Sequence, residues 1–114
     1  MDKDYLIKDT NKIKPVPCPC GMSIRPITRK DTSVANLHVT HIKNSRKHYH
    51  KNCTEFYYII EGKGKMELGD TEVDLKPGIT IMIDKKVPHR GYGDFKAIIF
   101  GVPAIKQSDE FFVE

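Results

Sequence analysis

No stretch of this chain sustains a helical period of apolar residues. Short runs rich in Ile, Val, Tyr, Phe and Thr instead follow one another at close spacing, separated by turn residues. MSIRPIT (22–28), ANLHVTHI (35–42), TEFYYIIE (54–61), GKMEL (64–68), TEVDL (71–75), ITIMI (79–83) and FKAIIFGV (95–102) each read as a strand. Lys76-Pro77-Gly78 suits a type II turn, with proline fixing φ and glycine accepting positive φ. Gly62-Lys63-Gly64 and Gly69-Asp70 read as tight hairpins. Many short strands with regular turns predict an all-β sandwich or barrel.

At 114 residues the chain is read as a single domain. Residues 1–21 form an arm and proline-rich loop, since NKIKPVPCPCG can neither continue a helix nor sit in a central strand. Residues 22–103 are the core. Residues 104–114 are a tail whose SDEFFVE segment reads as a short turn or an edge strand. Charge is interspersed, Lys+Arg 19 against Asp+Glu 15, with no motif for DNA or RNA. No apolar run approaches the roughly 20 residues of a membrane span, and the charged N-terminus lacks a signal-peptide core. The expectation is a cytoplasmic protein with neither nucleic-acid nor membrane partners. Three cysteines give no disulfide framework in such a compartment, so Cys18, Cys20 and Cys53 are expected as free thiols.

The chemistry concentrates in HYHKNCTEF, residues 48–56. In a strand, His48 and His50 share a face and Tyr49 takes the other. Glu55 breaks that parity, so Lys51-Asn52-Cys53-Thr54 must hold a bulge or turn that resets the register. Glu55 then faces inward with Tyr57 and Ile59. A fourth group should come from a distant strand, and His89 is the candidate, because Pro88 before it suits a strand start. Three imidazoles and a carboxylate suit one divalent transition metal ion: Fe, Mn, Zn, Ni, Co or Cu. His38 and His41 lie at odd separation, so only one can point inward; His38 is the choice. Tyr57 and His38 are the candidates for acid–base or substrate-orienting roles. Arg25 is the candidate for binding an anionic substrate.

These residues resemble a known superfamily. H48-Y-H50-K-N-C-T-E55-F-Y-Y-I-I-E-G62 is similar to the first cupin motif, and K76-P77-G78 with P88-H89 is similar to the second. The likeness covers roughly residues 34–102, and is narrowest to small single-domain cupins often labelled mannose-6-phosphate-isomerase-like. It implies a jelly-roll barrel (double-stranded β-helix), a metal at its centre held by His48, His50, Glu55 and His89, and a homodimer. The function expected is a metal-dependent enzyme acting on a small polar molecule inside the barrel, leaning to oxidoreductase or dioxygenase chemistry. A metal-dependent sugar isomerase or epimerase stands beside it, favoured if cationic side chains ring the pocket mouth. A non-catalytic small-molecule-binding module is the third reading.

Overall fold

The structure, a computed structural model, describes residues 4–113. The first three residues of the arm and the last residue of the tail lie outside them. Among the described residues, nine strands form one curled antiparallel sheet: β1 (Val16–Cys18), β2 (Gly21–Ile27), β3 (Asn36–Asn44), β4 (His48–Tyr49), β5 (Thr54–Leu68), β6 (Thr71–Leu75), β7 (Thr80–Ile83), β8 (His89–Val102) and β9 (Phe111–Phe112). Two short 3-10 turns, Thr10–Lys12 and Gln107–Asp109, are the helical elements among the described residues. This is the all-β jelly-roll barrel that the turn spacing and the motifs imply. Among the described residues no helix is long and apolar enough to cross a membrane.

β5 and β8 are the spine. They pair along their whole lengths, from Thr54↔Val102 to Leu68↔His89. β3 pairs with the other edge of β8, and β4 continues along that edge through His48↔His89. β6 and β7 line the free edge of β5. Alternation sends Tyr57, Ile59, Phe95, Ala97 and Ile99 inward, where they meet Ile42, Met66, Leu75 and Ile83 in one apolar core. Each such large apolar side chain contributes about 1.5–3 kcal/mol on burial.

The sequence reads Gly62-Lys63-Gly64 as a hairpin, and the structure corrects this. β5 runs unbroken through these residues, still paired with β8, and the ribbon bends here rather than turning back as a hairpin. The register shifts between Ile59 and Glu61, so the inward set changes from Tyr57 and Ile59 to Gly62, Gly64 and Met66. Gly62 has φ 87, and a Cβ there would collide with the Asp94 carbonyl oxygen and stand 2.7 Å from the Phe95 Cα. The opposing strand is equally bare at Gly93, where a Cβ would lie 2.6 Å from the Gly64 Cα. Two strands can press this closely, and fold back this sharply, only without side chains at the contact.

Gly62→Ala therefore combines backbone strain with a backbone clash. It is expected to cost about 3 kcal/mol and roughly 10 °C in melting temperature by thermal denaturation. A variant melting within about 2 °C of wild type would contradict this role for the bend.

Candidate metal centre

Four buried side chains meet at the barrel's interior, and their arrival can be followed strand by strand. β4 carries His48 inward, and His89 sits directly across from it as the first residue of β8, just after Pro88. The chain then turns through residues 50–53 before β5 begins, which resets parity and sends Glu55 inward. One ligand atom from each of His48, His50, Glu55 and His89 lies within 4.8 Å of all the others. The Glu55 Oε1 is 3.0 Å from the His50 Nε2 and 3.1 Å from the His89 Nε2.

The far side of each imidazole explains its orientation. The Nδ1–H of His48 donates to the Arg46 carbonyl at 2.7 Å, that of His50 to the Asp109 carbonyl at 2.7 Å, and that of His89 to the Val87 carbonyl at 2.9 Å. A carbonyl oxygen only accepts, so each ring carries its proton on Nδ1 and, when neutral, turns an Nε2 lone pair to the centre. With the rings neutral, three lone pairs and a carboxylate oxygen gathered within 4.8 Å repel one another unless a cation or added protons lie among them. The donor set thus fits one first-row divalent ion, held by His48, His50, Glu55 and His89, each imidazole braced by a second hydrogen bond.

Protons compete for the same atoms. Burial alone would raise the Glu55 carboxyl, but the hydrogen bonds from His50 and His89 hold it well below the usual carboxylate range. Burial would likewise lower His50, yet the bond to Glu55 and its charge win and raise it. His48 has no such bond; burial, then the charge of His89, lower it to about 4.

The tail, expected only as a turn or edge strand, builds part of the centre. Its β9 pairs with β4, Phe112 opposite His48 and Phe111 opposite Tyr49, and the rings of Tyr49 and Phe111 stack at 5.4 Å. The buried Asp109 carboxylate accepts from the Lys51 and Asn52 backbone N–H groups at 2.8 and 3.1 Å, while its carbonyl receives His50. Glu110 follows, with its Oε1 3.9 Å from the His48 Nε2. Sequence reasoning missed both residues. The only local signal was an acidic pair before two phenylalanines, and nothing in the sequence says where a tail docks.

The cluster opens on a cavity of about 580 Å³. Arg25 and His38 are on its wall, with Asn36, Thr40, Glu110 and the cations Arg29, Lys30 and Lys106. Burial, then the charge of Arg25, lower His38 to about 4, so its ring is neutral near pH 7. Tyr57 lies in the apolar core instead, its ring edge-on to His89 with centroids 6.5 Å apart. Burial, then the negative charge of Glu55, push its phenol well above the ordinary value. His41 faces outward and pairs with Asp94.

The cysteines need one correction. Cys18 and Cys20, expected as free thiols, are joined by a disulfide, their Cα atoms 5.3 Å apart across the turn between β1 and β2. A proline between them folds the chain back there, and the compartment argument gave no weight to that local geometry. Cys53 is free and buried, and burial, then the charge of Glu55, push its thiol up to about 12.

A jelly-roll barrel with an internal cluster of three histidines and a glutamate defines a class of small metal-binding barrels. The profile of the cupin domain family matches residues 38–98, which include all four cluster residues, and the chain belongs to that family. It is 34% identical over 86 residues to an uncharacterized protein of Methanocaldococcus jannaschii, covering 70% of this chain and 69% of that one. A crystal structure of a protein from Planctomyces limnophilus superposes with TM-score 0.88 at 28% identity, covering 95% of this chain and 96% of that one. Ectoine synthase from P. lautus shares the fold, with TM-score 0.78 at 21% identity over 91% of this chain and 82% of that one.

Proposed function

We propose that the chain is a metal-dependent enzyme acting on a small, polar, anionic molecule held inside the barrel. One observation carries this reading: three pre-oriented imidazoles and a carboxylate converge within 4.8 Å and open on a cavity large enough for a small metabolite. A bound ion would act there as a Lewis acid toward substrate oxygens. His48, His50, Glu55 and His89 would hold it. The remaining work falls to the cavity wall. Arg25, Lys30 and Lys106 attract and orient an anion. A ring nitrogen of neutral His38 is available to take up a proton. Tyr57, beneath His89, keeps its proton and serves to hold that ring in place.

The cationic mouth favours isomerase or epimerase chemistry on an anionic sugar or hydroxy acid over the dioxygenase reading. Protein loaded in turn with Fe(II), Mn(II), Co(II) and Zn(II) should exchange the proton beside the carbonyl of an aldose or ketose phosphate, seen by proton NMR in deuterated water. Oxygen uptake with catechols or diketones, and no exchange, would replace this reading with the dioxygenase one. Neither activity with any metal would leave a binding module.

We also propose a homodimer. The outward face of the sheet carries an apolar row across four strands, Met82, Phe56, Phe100 and Leu37, set side by side by the strand register. Met82 is 64% and Phe100 41% exposed, and Tyr58, Ile60 and Val102 flank them. A standard interface covers about 800 Å² per partner around such an apolar centre, and a second copy offers the same uncharged surface in return. Light scattering on the eluting protein should give about 26 kDa, twice the 13.1 kDa chain, and Phe100→Glu should give a folded monomer. A monomeric wild type would contradict the dimer.

A further inference from the structure

Two charged side chains on the cavity wall, Arg25 and Glu110, have no ion-pair partner of opposite fixed charge within 4 Å among the described residues. Arg25 makes one long hydrogen bond, from its Nε to the Ser23 Oγ at 3.4 Å, and its two terminal nitrogens have no acceptor among the described residues. Glu110 is three-quarters buried, yet its carboxylate accepts no hydrogen bond among the described residues. Its nearest neighbour of opposite polarity is the His48 Nε2 at 3.9 Å, and that nitrogen carries a lone pair, because the His48 proton is on Nδ1. The carboxylate is not sealed from water, since no fully buried side-chain oxygen or nitrogen among the described residues lacks a partner; its acceptor capacity is turned to the cavity, where a ligand's donor can take the place of water.

Nor is Glu110 a loose surface residue. The residue before it is anchored by the Lys51 and Asn52 backbone N–H groups and by the His50 ring, and the residue after it pairs with Tyr49 and stacks on it. The backbone at Glu110 is therefore held in place by the segment that also pairs with His48 and receives the His50 ring. Glu110 does not belong to the four-residue set whose ligand atoms all lie within 4.8 Å of one another, so its place is beside the metal centre, facing the cavity.

We propose that Glu110 is a substrate-binding residue, accepting a hydrogen bond from a hydroxyl or amino group of a small ligand whose anionic group is held by Arg25. This deepens the function proposed above and rests on its reading of the cavity. The ligand it selects carries an anion at one end and a hydrogen-bond donor at the end nearer the metal, as hydroxy acids, amino acids and sugar phosphates do. A cavity lined by cations alone would take any anion of the right size. Glu110 repels a bare anion and rewards one that brings a donor.

Cobalt(II)-loaded protein and its Glu110→Gln and Glu110→Ala variants are titrated by calorimetry with glycerol 3-phosphate, L-serine and sulfate, the last an anion without a donor carbon arm. Wild type should bind at least one of the first two more tightly than sulfate. Both variants should weaken that binding about tenfold or more, leave sulfate unchanged or tighter, and keep the cobalt content and visible spectrum of wild type. Arg25→Ala should weaken all the anions together. Equal shifts for sulfate and the donor-bearing anion in the Glu110 variants would overturn the proposal, reducing Glu110 to a general charge. Loss of cobalt from these variants would overturn it by making Glu110 a ligand, as would binding of none of the three probes to cobalt-loaded wild type. Failure of wild type to take up cobalt shows before any probe is added, and would fell the metal reading together with this one.

Discussion

The contact between Glu55 and His89 is what the molecule is built to make. In the β5–β8 pairing these residues stand at opposite ends, Glu55 beside Gly101 and His89 beside Leu68. Thirteen residues of straight strand would separate those ends by roughly 43 Å, yet the Glu55 Oε1 and His89 Nε2 are 3.1 Å apart. The two-stranded ribbon has to fold back on itself. It does so at Gly62, Gly64 and Gly93, where bare backbones press together. The apolar core fills the inside of the curve and leaves the end near Glu55 to polar groups.

Closure alone would bring like to like. While the rings are neutral, three imidazoles offering lone pairs and one carboxylate offering an oxygen gain nothing from proximity in a water-poor interior; protons or a metal ion must come between them. Backbone carbonyls fix the rings so that they cannot turn away, two of them from residues just before the histidines and one from the tail. The fold therefore spends stability to hold acceptors together, which makes sense when a cation is the missing partner. The same logic extends outward. In the proposed function, the cations lining the cavity would draw an anion in, and Glu110 would set a condition on which anion stays.

Much of this was legible in the sequence because it depends on short-range parity. His48 and His50 are two apart and share a face. Pro88 starts a strand at His89. Glu55, out of step with His50, demanded a reset, and the turn at residues 50–53 supplies it. Inward assignments for Ile59 and His38 followed from the same alternation. What escaped was what depends on long-range contact. Gly62-Lys63-Gly64 has the composition of a hairpin, and only the partner strand at Gly93 and Asp94 makes it a bend instead. Asp109 and Glu110 are ordinary acidic residues until the tail pairs with β4 and sets them against His50 and His48. The disulfide between Cys18 and Cys20 depends on the turn from β1 into β2, and β1, three residues holding a proline, is too short to read as a strand.

All the proposed chemistry depends on a single ion gripped by His48, His50, Glu55 and His89. Elemental analysis of protein purified without chelators tests it most directly. It should return about one first-row transition metal ion per chain, absent from a folded His50→Ala variant. Wild type that carries no metal, and takes none up on incubation with the divalent series, would contradict it.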